Sequence, residues 1–87
     1  MQIRSILRMT RQTLHHRPTQ SARTILAIKL RQLRAERQWS QEDLAAESGL
    51  DRSFVAHVER EARNISIDNI EKLAIALGVD VHDLLKP

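Results

Sequence analysis

Cysteine and tyrosine are absent from this sequence of 87 residues, and Trp39 and Phe54 are its only aromatic residues. Without cysteine the chain forms no disulfide and offers no thiolate to a metal, which is typical of a reducing cytoplasm. The longest apolar runs are a few residues long, far short of the ~20 that a membrane-spanning helix needs. We therefore expect a cytoplasmic protein that does not cross a membrane, with one modest, aliphatic core.

Acidic residues are absent before Glu36, whereas eight lysines and arginines precede it. All eleven acids then fall between Glu36 and Asp83, and the net charge is +3. A basic half of this kind favours a polyanion such as nucleic acid as the partner. A solvated, solubilising surface would give the same pattern, so charge alone leaves both interpretations open.

Signatures of catalysis are also missing. No glycine-rich phosphate-binding loop occurs, and no nucleophile has a base at a recognisable spacing. The four histidines are scattered, and we expect no metal site even where Asp80 and Asp83 flank His82. The sequence therefore predicts neither an enzyme nor a cofactor.

Residues 1–20 are predicted to form a basic N-terminal arm or helix, separate from a helix-turn-helix domain at 21–87. The arm contains no acid, and Pro18 ends its helical pattern because proline has no N–H to donate. Its composition also matches an organelle transit peptide, an interpretation that the following sequence disfavours. Its apolar residues lie on one face of the predicted helix: Ile3, Ile6, Leu7 and Leu14.

Five short helices and no strand are predicted for residues 21–87, so the fold class is all-α. Serine or aspartate caps mark helix starts, and glycines mark two helix ends. The predicted helices are Ala22–Arg37, the segment from Ser40 to Ser48, the segment from Asp51 to Arg60 or Glu61, Ile67–Leu77 and Val81–Leu85. The predicted buried residues are Leu26, Leu30, Leu33, Trp39, Val55, Val58, Ile70, Leu73, Ala74 and Leu77.

The second and third helices have the signature of a helix-turn-helix, two short helices joined by a few residues that include glycine. Gly49 makes the turn, and Ala45 is small where the two helices must cross. Leu50, Val55 and Val58 anchor the third helix. This leaves an outer face without acids, which a purely structural hairpin would have less reason to keep: Arg52, Ser53, Ala56, His57 and Arg60.

Six segments together resemble the lambda-repressor-like, Cro-type helix-turn-helix family, also called XRE-like, over residues 26–85. They are 30–34 (LRQLR), 40–45 (SQEDLA), 49–55 (GLDRSFV), 58–60 (VER), 63–70 (RNISIDNI) and 77–79 (LGV). Within that family the resemblance is closest to the controller proteins of restriction–modification systems. It implies a transcriptional regulator that binds operator DNA as a homodimer, with helix 52–60 in the major groove.

The resemblance also implies a role for each matching residue. Arg52, Ser53, Ala56 and His57 would face base edges, where an arginine can take guanine O6 and N7 together. Contacts to the DNA backbone would come from Ser40, Gln41, Arg60, Arg63 and Asn64, with the free N–H groups of a helix start facing a phosphate. Arg34 and Glu59 match a family salt bridge.

The chain departs from the family at three positions. Gln38 and Glu61 stand where the family prefers glycine, so both are predicted to need an uncommon backbone conformation. Glu61 also brings a carboxylate towards the expected DNA backbone. Asp51 is predicted to cap the third helix, with a charge that would face phosphates.

A homodimer needs an apolar surface outside the helix-turn-helix. We expect this surface at the C-terminus, and the arm is a second candidate. The alternative function is an antitoxin or interaction module that pairs with a toxin, for which residues 1–20 are the available extra segment. The expected C-terminal dimer residues are Val79, Val81, Leu84 and Leu85.

Overall fold

The structure, a computed structural model, describes residues 20–87, which form five helices and no strand. They are α1 (Ala22–Arg37), α2 (Gln41–Ser48), α3 (Arg52–Glu59), α4 (Ile67–Leu77) and α5 (Val81–Leu84). The all-α prediction is confirmed, and the predicted bounds of the first and fourth helices are correct. The helix predicted for the N-terminal arm and its apolar stripe lie outside the described residues.

Serine side chains start three of the helices. Ser21 accepts a hydrogen bond from the N–H of Thr24, and Ser66 accepts one from Asn69. Ser40 and Asp43 form a reciprocal capping box at the start of α2. Each cap satisfies backbone donors that the first turn of a helix leaves without partners.

The predicted side-chain cap at Asp51 is wrong. Asp51 occupies the N-cap position of α3, but its side chain makes no capping hydrogen bond. Its carbonyl accepts the N–H of Val55 at 3.1 Å, so backbone geometry alone starts this helix.

Within residues 20–87, four positions have left-handed backbone geometry, and two of them are not glycine. Gly49 and Gly78 end α2 and α4 with φ of 73° and 70°. Gln38 ends α1 at φ 58°, and Glu61 follows α3 at φ 60°. The uncommon conformations predicted for Gln38 and Glu61 are therefore present.

All five helices contribute to one aliphatic core. Its largest fully buried side chains are Leu26, Leu30, Leu44, Val55, Val58, Leu73, Leu77 and Leu84. Burial of each contributes roughly 1.5–3 kcal/mol. Trp39, Leu33 and Phe54 are half-buried against this core, as predicted for Trp39. None of the helices in residues 20–87 has the length and apolar character needed to cross a membrane.

The structure corrects one residue of the expected dimer surface. Leu84 has no exposed area, because α5 folds back and inserts this side chain into the core of its own chain. Val79, Val81 and Leu85 are half-buried around it. Instead, two isoleucines of α4 are the exposed large apolar residues of the described chain, with Ile67 67% and Ile75 73% exposed.

Candidate nucleic-acid interface

Helices α2 and α3 form a tight helix-turn-helix. Gly49 leaves α2 in the left-handed region, and the N–H of Leu50 donates to the carbonyl of Ala45 at 3.1 Å. Ala45 is buried, as the predicted close crossing of the helices requires. Val55 and Val58 face the core, so the opposite side of α3 faces outward.

The outward side of α3 forms a shallow groove of about 350 Å³. Its lining contains two arginines and no acid, so it offers hydrogen-bond donors from cationic side chains. The structure brings all four candidate base-reading residues together here with one of the backbone candidates: Arg52, Ser53, Ala56, His57 and Arg60.

Two polar residues of this groove differ in whether they have a partner within the protein. The Nδ1 of His57 is buried and has no hydrogen-bond partner among the described residues. Arg52 is exposed, and its Nη1 lies 3.7 Å from Oε1 of Glu42 on α2. The groove therefore presents a guanidinium in an exposed ion pair, whereas the unpartnered ring nitrogen of His57 lies beneath the surface.

The side chains at the start of α2 are occupied within the protein. Ser40 and Asp43 cap each other, with hydrogen bonds of 3.0 and 2.8 Å. Gln41 donates through Nε2 to Oε1 of Glu59 at 3.1 Å. The first N–H groups of a helix lack intrahelical partners. The start of α2 can therefore bind an anion through the backbone N–H of Gln41 and through the second hydrogen of its side-chain amide.

The predicted pair between Arg34 and Glu59 is present and joins α1 to the end of α3. Arg34 donates from Nε to Oε2 and from Nη2 to Oε1, each at 2.7 Å. Its Nη1 donates to the carbonyl of Trp39 at 2.9 Å. The Glu59 side chain is 3% exposed and that of Arg34 is 17% exposed. This two-bonded pair holds the end of α3 against α1.

The hydrogen bond to Glu59 raises the pKa of Arg34 above its usual value, although burial opposes the rise. The folded state therefore binds this proton more tightly than the unfolded chain does. By linkage, the resulting stability is complete below the ordinary pKa of arginine and is lost only as pH rises through the still higher folded value. Arg34 stays charged throughout the ordinary pH range.

The segment after α3 is tied to the start of α1. Thr24 donates from Oγ1 to Oε1 of Glu61 at 2.5 Å, and Arg23 donates to the side-chain oxygen of Asn64. The Arg63 guanidinium lies over the Phe54 ring, 5.8 Å from its centroid. These contacts hold the backbone-binding candidate Asn64 against the start of α1 and place the candidate Arg63 against Phe54 of α3.

Several of these contacts were not predicted from sequence. Glu42 and Arg52 sit on different helices, and Thr24 and Arg23 meet partners far along the chain. No helical spacing relates such residues, because their approach depends on how α1, α2 and α3 cross. The sequence indicates such contacts only through the many polar side chains near the helix starts.

Among residues 20–87, the carboxylates of Asp80 and Asp83 and a ring nitrogen of His82 lie within 4.8 Å of one another. Asp83 accepts a hydrogen bond from the Asp80 N–H at 3.1 Å in the cap of α5. Helix capping accounts for this arrangement. The expectation that the protein has no metal site stays a prediction.

Comparison with known proteins places the chain in a family. Residues 30–84 match the helix-turn-helix family HTH_3. A hypothetical transcription factor of Neisseria meningitidis is 50% identical over 68 residues, covering 78% of this chain and 64% of that protein. The chain thus spans less than two thirds of that relative. Control protein C.BamHI of Bacillus amyloliquefaciens is 46% identical over 68 residues, covering 77% of this chain and 84% of that protein.

A solved structure shows the same architecture. The restriction–modification controller protein C.Esp1396I, crystallised as a tetramer with its natural 35-base-pair operator, is 29% identical with a TM-score of 0.68. The match covers 76% of this chain and 91% of that one. The chain belongs to the HTH_3 family of XRE-like helix-turn-helix proteins, whose members similar to it include restriction–modification control proteins.

Proposed function

We propose that this protein is a transcriptional regulator that binds operator DNA sequence-specifically, with α3 in the major groove. The observation that carries the proposal is the acid-free groove on α3, which gathers donors on a helix that the Arg34–Glu59 pair holds to the core. A major groove admits one α-helix and presents a distinct donor and acceptor pattern for each base pair. A helix whose outward face is basic and which is firmly held to the core suits that task.

Base reading is assigned to Arg52, Ser53, Ala56 and His57. Arg52 can donate two hydrogen bonds to guanine, and the half-buried His57 lines the same groove. The methyl group of Ala56 leaves room for the DNA to approach.

Backbone contacts are assigned to the residues around the groove. The start of α2, at Ser40 and Gln41, would face one phosphate through the backbone N–H of Gln41, since the N–H of Ser40 donates to Asp43. Arg60, Arg63 and Asn64 reach the backbone beyond the other end of α3. Such contacts would set affinity and register on the duplex, whereas the α3 groove would set sequence preference.

The relatives described above are a transcription factor and control proteins, which favours a regulator over the toxin-binding alternative. A DNA target is also consistent with the expected bacterial or phage-like cytoplasm. The N-terminal arm at 1–20 and the domain at 21–87 remain predicted units.

The active form is proposed to be a two-fold homodimer, because one helix-turn-helix reads only a few base pairs. The seam is assigned to exposed Ile75 of α4 together with Val79, Val81 and Leu85, which are half-buried against the core. A controller relative binds its operator as a tetramer, which is consistent with assembly on DNA.

Selection of bound sequences from random duplex DNA tests the proposal with the purified full chain. We expect enrichment of a motif with two-fold symmetry and half-sites one helical turn, ~34–36 Å, apart. Failure to enrich any sequence would overturn sequence-specific binding. A single unrepeated half-site would keep DNA reading but reject the dimer.

A further inference from the structure

An acidic residue stands at the edge of the otherwise acid-free α3 groove. Glu42, the second residue of α2, places Oε1 3.7 Å from Nη1 of Arg52. Among residues 20–87, this is the one salt bridge made by a residue that lines the groove. A carboxylate close to a surface that would contact DNA repels phosphates and weakens binding. A second effect of Glu42 on binding would offset this loss.

We propose that Glu42 is a specificity-determining residue that acts through Arg52, an inference that rests on the proposed function. An unrestrained arginine at a groove edge would turn towards the nearest phosphate in any DNA sequence, because phosphate carries a full charge. Glu42 compensates part of the guanidinium charge and attracts its Nη1 from 3.7 Å. The remaining donors of Arg52 are then better suited to the neutral acceptors of a guanine edge.

Local geometry supports an action of Glu42 on Arg52 in particular. The side chains of Glu42 and Arg52 are 71% and 67% exposed, so packing fixes neither of them and the ion pair is their main restraint. The other polar side chains in the first turn of α2 are occupied elsewhere, with Gln41 bonded to Glu59 and Asp43 to Ser40.

Asp51 is the other acid next to Arg52, and it precedes Arg52 directly in the chain. Within the described residues it forms no salt bridge, and its side chain makes no capping hydrogen bond. Restraint of the Arg52 guanidinium is therefore assigned to Glu42 on the neighbouring helix.

The size of the effect follows from the exposure of the pair. An exposed ion pair changes an equilibrium by about fivefold at most. Glu42 is thus expected to alter the ratio of cognate to non-cognate affinity rather than to decide whether the protein binds. Loss of its charge should strengthen non-cognate binding more than cognate binding.

The test compares Glu42→Gln with Glu47→Gln in the full-length protein. Both variants remove one exposed negative charge from α2, at opposite ends of the helix. Fluorescence anisotropy gives Kd values for the selected cognate duplex and for a scrambled duplex over a range of salt concentrations. We expect Glu42→Gln to lower the discrimination ratio by about two- to fivefold, with Glu47→Gln close to wild type.

Salt dependence gives a second readout. In Glu42→Gln, Arg52 would be free to contact a phosphate. The slope of log Kd against log salt concentration, measured with the scrambled duplex, should then steepen by up to ~0.9. The same substitution in an Arg52→Ala background should leave both the ratio and the slope unchanged. Persistence of either change without Arg52 would mean simple phosphate repulsion and would overturn the inference.

The outcomes separate this inference from the function on which it rests. If no cognate sequence can be selected, the proposed function fails and the inference falls with it. If a cognate sequence exists and the two α2 variants shift the ratio equally, only the role of Glu42 is wrong. A lower ratio that depends on Arg52 supports both.

Discussion

Glu59 is the one buried charged residue in the described part of the chain, with 4% of its surface exposed. It receives two hydrogen bonds from Arg34 and one from Gln41. It thus links α1, the start of α2 and the end of α3. A carboxylate in this position stabilises the fold only while its partners remain, since an unpaired buried charge is strongly unfavourable.

Arg34→Met should therefore destabilise the fold by about 3 kcal/mol, because it keeps the packing of the side chain but leaves Glu59 without its charged partner. Arg52→Met is the matched comparison, since it breaks an exposed ion pair and should cost only ~0–1 kcal/mol. Urea unfolding at one fixed protein concentration measures both. Equal effects would show that burial of the Arg34 pair has no energetic consequence.

Arg52→Ala and Arg63→Ala should affect DNA binding in different ways. Loss of Arg52 removes a bidentate base contact, so it should weaken cognate binding by about 1–3 kcal/mol and relax the preference at one base position. Loss of Arg63 should weaken all sequences alike, because phosphates are present in every sequence. Sequence selection repeated with each variant distinguishes them, and a uniform loss in Arg52→Ala would reject its base-reading role.

At the scale of helices, the sequence was most informative where a local rule decides the structure. Ser21, Ser40 and Ser66 cap their helices as the sequence indicates, and glycine ends α2 and α4. The Arg34–Glu59 pair is the exception, because it links distant segments and was predicted through a family resemblance rather than through spacing.

Sequence reasoning was weaker where two helices must meet. Burial of Leu84 depends on how α5 returns to the core, and a four-residue helix carries too little periodicity to reveal which side faces inward. The bond from Gln41 to Glu59 and the approach of Glu42 to Arg52 likewise depend on the crossing of α2 and α3. Asp51 has the right residue type and position for a cap, but its side chain takes another orientation.

The end of α1 offers a direct test of backbone strain. Gln38 adopts φ 58°, a left-handed conformation that is unfavourable for any residue with a Cβ. Gln38→Gly should stabilise the protein by about 0.5 kcal/mol, since relief of this strain exceeds the greater freedom that glycine gives the unfolded chain.

Gly49→Ala provides the opposite control. Gly49 has φ 73°, and no heavy atom lies within 4 Å of an added Cβ, so the substitution adds backbone strain without a steric clash. It should destabilise the protein by about 1 kcal/mol. Thermal unfolding of the two variants measures both effects, and a destabilised Gln38→Gly would contradict the strain argument.

At the scale of the whole molecule, the proposed DNA-facing side and the exposed apolar side are built from different helices. The groove and its flanking residues belong to α2, α3 and the segment after α3. Ile75 and its half-buried neighbours belong to α4 and the C-terminal residues. A dimer formed through α4 would therefore leave both α3 grooves open to one duplex.

Ile75→Glu should convert the proposed dimer into a monomer while leaving the fold intact. Ile75 is 73% exposed, so a charge there stays in water in the monomer but would be buried and unpaired at a seam. Ile67→Glu is the matched control: Ile67 is 67% exposed on the same helix and, at eight residues' distance, lies about 12 Å along its axis. Leu84→Glu would not serve, because it places a charge in the core.

Sedimentation at micromolar concentration should show a dimer for wild type and Ile67→Glu and a monomer for Ile75→Glu. A monomeric wild type, or a dimer that persists in Ile75→Glu, would show that the dimer interface does not include Ile75.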